Sequence, residues 1–222
     1  MTELEGLTFA TATGFSPGPV REMLKAGGGR YQDICGPDIG SIMASLGWSF
    51  LTTPLCVTAL DEHGHAVAAG WAAPSSHGEA GGINLSYAAA PQAEGRGLAL
   101  LTTSLAIVEI SRRLEIPEPA RVHAQYRVEN ARSAALAARL GLSADPGLTV
   151  DCELPGERML GSDKPGAWIP DLNAPTRQQR IVGSSGSWPE VLERARNRVG
   201  ELEASWVDFA AGRHVARARE RV

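Results

Sequence analysis

Cysteine is scarce in this chain of 222 residues. It has three, Cys35, Cys56 and Cys152, an odd and widely spaced set without a CxxC pair. That argues against a disulfide framework and fits buried or half-buried thiols in a reducing cytosol. Long apolar runs are absent too, and none reaches the ~18 residues that a membrane span needs. The first residues carry Glu3 and Glu5 in place of a basic segment followed by an apolar one, so no signal peptide is expected and the expected location is cytoplasmic. Positive charge is not in excess. The 21 Lys and Arg against 25 Asp and Glu leave a formal charge of −4, which argues against a surface built wholly for nucleic acid or an anionic membrane. What is present is 43% hydrophobic residues, enough for the core of one sizeable domain with an appendage.

Periodicity predicts an alternation of strands and helices. Leu7 to Thr11 reads as a strand, and Ser16 with Pro17 and Pro19 opens a helix that the Gly27 run ends. Residues 37 to 48 suggest a short helix. Leu55 to Leu60 and Ala66 to Ala72 flank a turn at Gly64, the pattern of a hairpin. His63 and His65 sit in that turn without a third ligand in sight, so no metal site is expected. Ile83 to Ala89 is a further strand. Leu98 to Leu114 is the clearest helix, with Leu98, Leu101, Leu105 and Val108 on one stripe that Ile107, Ile110 and Leu114 widen. Arg121 to Val128 is a strand, Asn130 to Leu140 an Ala-rich helix ended by Gly141, and Leu148 to Leu154 a strand.

The texture changes near residue 160. Residues 161–186, punctuated by Pro165, Pro170 and Pro175, read as a linker between a domain at 1–160 and a C-terminal segment at 187–222. In that segment Ser187 caps a helix whose Trp188, Leu192, Ala195, Val199, Leu202, Trp206 and Phe209 form a heptad-like seam. The seam suits packing on its own domain, cover for a substrate site, or a homodimer. The arginine-rich tail after it reads as a solvated end.

The segment with chemistry in it is Pro91-Gln-Ala-Glu94-Gly95-Arg96-Gly97-Leu98-Ala99, set between a strand and the long helix. Two glycines allow a tight turn that gathers backbone N–H groups. The helix that follows aims its positive end at the same spot, and Arg96 adds mobile charge. Together these suit a pyrophosphate. The dinucleotide fingerprint fits poorly, because Leu100 stands where its third glycine belongs and the preceding strands read as an antiparallel meander.

This segment resembles the cofactor turn Q/R-x-x-G-x-G/A of the GNAT acetyltransferase superfamily. A second stretch, Asn130-Ala-Arg-Ser133-Ala-Ala-Leu136-Ala137-Ala-Arg139-Leu-Gly141-Leu142, is similar to the family's N-x-x-A-x-x-L-Y-x-K-x-G-F. The resemblance spans residues 5 to 155 and is specific over 83 to 142. It implies an α/β fold, a mixed and mostly antiparallel twisted sheet flanked by helices, with the C-terminal helix as an extension. It implies acetyl transfer from acetyl-CoA, with no metal, to a primary amine. A small molecule stands ahead of a peptide or protein amine as acceptor.

Cofactor contacts carry over to Glu94, Gly95, Arg96, Gly97, Leu98 and Ala99, to Ala89 as the amide that polarises the thioester, and to Asn130, which also caps its helix. Two positions depart from the pattern. Glu94 replaces Gln or Arg, bringing an acid near the diphosphate. Ala137 replaces the Tyr that in the family protonates the leaving thiolate. Ser133, one helical turn before Ala137, is the candidate to supply that proton, and Tyr87 as a proton relay and His123 are the candidates for deprotonating the amine, each against a purely structural role. The rival reading is a binding or regulatory module that keeps the fold and acts through its C-terminal helix.

Overall fold

Strands with no exposed face need cover on both sides. In β2 (Leu55–Leu60) and β3 (Ala66–Ser75) nearly every described side chain is buried, and β4 (Gly82–Ala89) follows closely. These three are the middle of one nine-stranded sheet in the computed structural model, which describes residues 6–13, 18–27, 54–75, 82–116, 118–154, 157–159, 168–170, 177–200 and 216–217. The other strands are β1 (Thr8–Thr13), β5 (Arg121–Arg127), β6 (Ser143–Ala144), β7 (Val150–Leu154), β10 (Arg177–Ser187) and β11 (Ala216–Arg217). A small separate hairpin pairs β8 (Glu157–Met159) with β9 (Trp168–Pro170).

The sheet order is β11-β1-β2-β3-β4-β5-β10-β6, with β7 also on β10. Among the described residues every pairing is antiparallel except β4 with β5. A parallel neighbour requires a crossover, and helix α2 (Leu98–Arg113) provides it. This is the mixed α/β architecture implied by the GNAT resemblance.

Small residues let α2 lie directly on the sheet. Gly70 of β3 faces the helix, and a Cβ there would fall 2.5 Å from Thr103 Cα. Thr102, Thr103 and Ser104 are buried and turn their hydroxyls back to the carbonyls of Leu98, Ala99 and Leu100, so their polarity is met within the helix. Apolar residues surround α2, more than the single predicted stripe, because a second helix covers its outer side. This is α4 (Trp188–Gly200), which buries Trp188, Val191 and Ala195. The Trp188 N–H donates to Ala120 O at 3.1 Å. Helix α1 (Gly18–Gly27) packs on β3 with Val20, Met23 and Leu24 buried, and α3 (Ala131–Arg139) follows β5.

Two expectations change. Residues 177–187 are not linker: they form β10, the strand inserted between β5 and β6, with seven rungs from Ile181↔Arg127 to Ser187↔Arg121. The run Gly183-Ser-Ser-Gly186 reads as a loop, yet its smallness suits a crowded strand. A Cβ at Gly183 would collide with Leu148, and one at Gly186 would lie 2.9 Å from Gly141 O. The strand predicted from Leu148 instead begins at Val150, after a 3-10 turn at Pro146–Leu148. Of the helical seam, α4 uses Trp188 and Ala195 fully and Leu192 and Val199 partly, within its own domain. Leu202, Trp206 and Phe209 lie outside the described residues, as do the helix expected at 37 to 48, Ser16 and Cys35.

The contact at Gly70 is a direct test of this packing. Gly70→Ala is expected to destabilise the chain by about 1–3 kcal/mol, since neither β3 nor the α2 backbone can yield without moving the other. Denaturant unfolding of both proteins measures it.

Candidate functional site

The parallel pairing of β4 and β5 lasts three rungs, Gly82↔Arg121, Ile83↔Val122 and Asn84↔His123. Among the described residues the β4–β5 ladder ends there, while β4 itself runs on to Ala89. On the other edge of β4 the antiparallel ladder to β3 continues to Ala68↔Ala89, and Ala90 N–H donates to Val67 O at 2.9 Å. Backbone direction alternates along a strand, so the amides of Tyr87 and Ala89 point to the β5 side, into the fork.

At the end of β4 a 3-10 turn, Pro91–Ala93, leads into the reversal Glu94 to Gly97. Gly95 has φ 78° and Gly97 has φ 76°, both in the left-handed region that side chains avoid. A Cβ at Gly95 would meet only open space, so the backbone angle, not crowding, calls for glycine there. Gly97 is the N-cap of α2, and no side chain among the described residues caps it. The first intrahelical bond runs from Leu101 N–H to Gly97 O at 3.0 Å, which leaves the N–H groups of Leu98, Ala99 and Leu100 without an intrahelical acceptor. With the helix dipole behind them they form a cradle for an anion.

The acid in this turn is matched by a base that the sequence pattern does not single out. Arg132, in the first turn of α3, forms an ion pair with Glu94 through Nη1 and Oε2. The pair neutralises the carboxylate beside the cradle and ties α3 to the turn. Arg96 is exposed. Asn130 caps α3 as expected, its Oδ1 accepting from Ser133 N–H at 3.0 Å.

Tyr87 and Ser133 come together. Cross-strand register puts Tyr87 opposite Gly70, on the α2 face, and its hydroxyl donates to the Ser133 carbonyl at 3.1 Å. Within α3 that carbonyl lies one turn before Ala137, which is buried. Burial pushes the Tyr87 phenol up to about 12, against the lowering effect of the Ser133 bond.

His123 is not brought to them. It pairs with Asn84 and Ser185 on the opposite face of the sheet and is 4% exposed. There it joins a polar group that the sequence does not announce. Arg121 Nη2 donates to Ser185 Oγ at 2.5 Å, and Ser185 Oγ donates to Asp145 Oδ2 at 2.7 Å. A Cβ at Gly82 would lie 2.7 Å from His123 Nε2, so that glycine makes room for the ring. Arg121, Ser185 and Asp145 belong to three segments far apart in the chain, and no local pattern connects them.

His63 and His65 are exposed in the β2–β3 turn, whose shape comes from Asp61 accepting both their N–H groups at 2.9 and 2.8 Å. No group of three His, Cys, Asp or Glu able to hold a metal occurs among the described residues. No helix among them is long and apolar enough to cross a membrane. Cys56 is buried, its thiol pushed up to about 12 by desolvation.

No family model matches the chain, and no curated protein matches it. Solved structures do. The chain is similar to YncA, a putative acetyltransferase from Salmonella typhimurium solved with its cofactor acetyl-CoA, at 12% identity over 83% of this chain and 95% of that one, with a TM-score of 0.48. It is similar to a GNAT superfamily phosphinothricin acetyltransferase from Sinorhizobium meliloti in complex with AcCoA, at 14% identity over 82% and 88%, with a TM-score of 0.47. It is also similar to the ribosomal-protein-S18-alanine N-acetyltransferase from Escherichia coli, at 13% identity over 81% and 93%, with a TM-score of 0.44. At these identities the likeness is one of overall fold.

The Asp145 carboxylate is held below its ordinary value, first by the Ser185 hydroxyl, then by Gly147 N–H and the nearby Arg121 and His123, against burial. A folded value below the unfolded one means that the stabilisation is complete above about pH 4 and is lost as pH falls through the folded value. Asp145→Asn is therefore expected to flatten the acid limb of the stability curve below about pH 4, read by thermal melts across the acid range up to neutrality.

Proposed function

We propose that the chain is an acetyl-CoA-dependent N-acetyltransferase acting on a primary amine. One observation carries this reading: the parallel β4–β5 ladder stops after three rungs, and β4 runs on to a left-handed glycine turn at the mouth of α2, whose first-turn amides no side chain caps among the described residues. The cradle suits a diphosphate, and the fork is a slot for an extended arm with amide groups of its own. The thioester supplies an activated acyl carbon and a good leaving group.

In this reading the N–H groups of about residues 95 to 99 bind the diphosphate, with Arg96 adding charge and Glu94 held off by Arg132. Asn130 orients the start of α3. The Ala89 amide, on the fork side of β4, polarises the carbonyl as it becomes an oxyanion. His123 accepts the proton that the acceptor ammonium must lose before it can attack. Tyr87 serves the departing sulfur. A phenol near 12 lies well above the ~8.5 of an alkyl thiol, so complete transfer is uphill. Tyr87 therefore donates a hydrogen bond that stabilises the thiolate while solvent delivers the proton, and Ser133 positions the phenol through its carbonyl. The acceptor is a small-molecule amine or a peptide amine.

The described part of the seam supports the enzyme reading, because Trp188, Val191 and Ala195 of α4 are spent on packing within the domain.

Calorimetric titration with acetyl-CoA tests the cradle. The native chain is expected to bind, and Gly97→Glu to lose about 100-fold or more in affinity, because it puts a side chain at positive φ and a carboxylate in the anion site. Equal heats from both proteins would refute the assignment. Tyr87→Phe is expected to lower kcat for thiol release about 10- to 100-fold with the KM for acetyl-CoA little changed. An unchanged kcat would return Tyr87 to a packing role.

A further inference from the structure

We propose that Asn84 recognises an amide, so that the acceptor is an α-amino group adjoining an amide carbonyl, as in an aminoacyl amide or a polypeptide N-terminus. This rests on the acyltransferase reading of the fork and deepens it to a substrate class.

Asn84 is 3% exposed, and neither Oδ1 nor Nδ2 has a hydrogen-bond partner among the described residues. Such groups are rare, because a buried amide that gives up water without a replacement is strongly disfavoured. Its two atoms present an acceptor and a donor side by side, and the natural complement is the donor and acceptor of a second amide. Placement makes the complement functional. Asn84 is the last residue of β4 to pair with β5, so the fork begins at its side chain. His123 is its registered neighbour on the same face, with Ser86 two residues further along β4. A group held by Asn84 therefore has its next atoms beside the imidazole and in front of the parting strands.

The charges on this face select the same class. Arg121 is the cation near the pair, and Asp145 the carboxylate. Asp145 already accepts from Ser185 and from Gly147 N–H at 3.0 Å, with Arg121 bonded to that same Ser185. A polyamine would meet Arg121 and no uncommitted carboxylate among these groups, whereas a neutral amide needs none. Proton affinity agrees. An α-amine titrates near ~7.7–8.0 and a lysine-like amine near ~10.4, so only the former yields its proton readily to an imidazole around neutrality.

Asn84 Nδ2 then donates to the acceptor's carbonyl oxygen; in an aminoacyl amide Oδ1 also accepts from the N–H cis to that oxygen, whereas a trans peptide turns its N–H away and keeps the carbonyl bond alone. His123 takes one proton from the α-ammonium. The freed lone pair forms the N–C bond to the thioester carbon, the C–S bond breaks with its electron pair on sulfur, and the sulfur is protonated from solvent. The second amine proton passes to solvent as the new amide forms, balancing the one that solvent gives to sulfur.

The test uses the full chain with acetyl-CoA and follows thiol release with L-alaninamide, an alanine-initiated pentapeptide, n-propylamine and spermidine. The expected kcat/KM for alaninamide, the pentapeptide or both exceeds that for propylamine and spermidine at least tenfold. The ratio of alaninamide to pentapeptide tells the small-molecule source from the polypeptide one. Asn84→Leu, close in size and without the orphaned amide, is expected to keep or raise the melting temperature, to keep acetyl-CoA affinity within twofold, and to raise KM for the amide-bearing acceptors at least tenfold while leaving propylamine unchanged. Equal rates across the panel, a preference for spermidine, or a uniform loss on all amines in Asn84→Leu overturns the proposal. The wild-type panel alone decides if the variant misfolds. Acetyl-CoA binding without amide discrimination sinks this inference only; absence of acetyl-CoA binding sinks the acyltransferase reading and this inference with it.

Discussion

Three rungs of parallel pairing hold β4 to β5, and the place where they stop governs much else in the molecule. A parallel pair needs a crossover, so α2 must leave from the top of β4 and return to the bottom of β5. Its N-terminus consequently sits at the open end of the fork, and its dipole points there. The turn that makes this departure uses two left-handed glycines because a strand has to become a helix within a few residues. Divergence of the strands, the amide cradle and the helix mouth are three consequences of one topological choice.

The second constraint is how little space separates α2 from the sheet. Gly70 against the Thr103 backbone, with Ala68 and Ala72 on the same face of β3, permits near contact of main chains. Close packing of that kind fixes the helix axis and, with it, the direction of the first-turn amides. On the outer side α4 presses on α2, so that helix is held from both directions. A cradle made only of backbone N–H groups has no side chains to adjust, and its geometry depends on this support.

Polar groups divide between the two faces of the fork. On the helix side, the Tyr87 phenol is bonded to α3. On the other, Asn84 and His123 stand beside the Arg121, Ser185 and Asp145 chain. Alternation along β4 and β5 sends neighbouring side chains to opposite faces, so Tyr87 lies on the helix side while Asn84 and His123 lie on the other.

The local parts of this protein were written in its sequence: the hairpin about Gly64, the long helix from Leu98, the glycine turn before it and the Asn130 cap. Each is decided by residues within one or two turns of one another, through backbone angles, periodicity and short hydrogen bonds. What only the tertiary structure decided is long-range. Gly183-Ser-Ser-Gly186 became a strand paired on both sides because its neighbours leave room for nothing larger, a condition invisible in the segment itself. Glu94, an anomaly when read alone, is answered by Arg132, 38 residues away. Asp145 and Ser185, 40 residues apart, meet under the fork for the same reason. Pairings of this sort depend on which strand ends beside which helix, and that follows from sheet order and chain crossover, not from the spacing of residues along the chain.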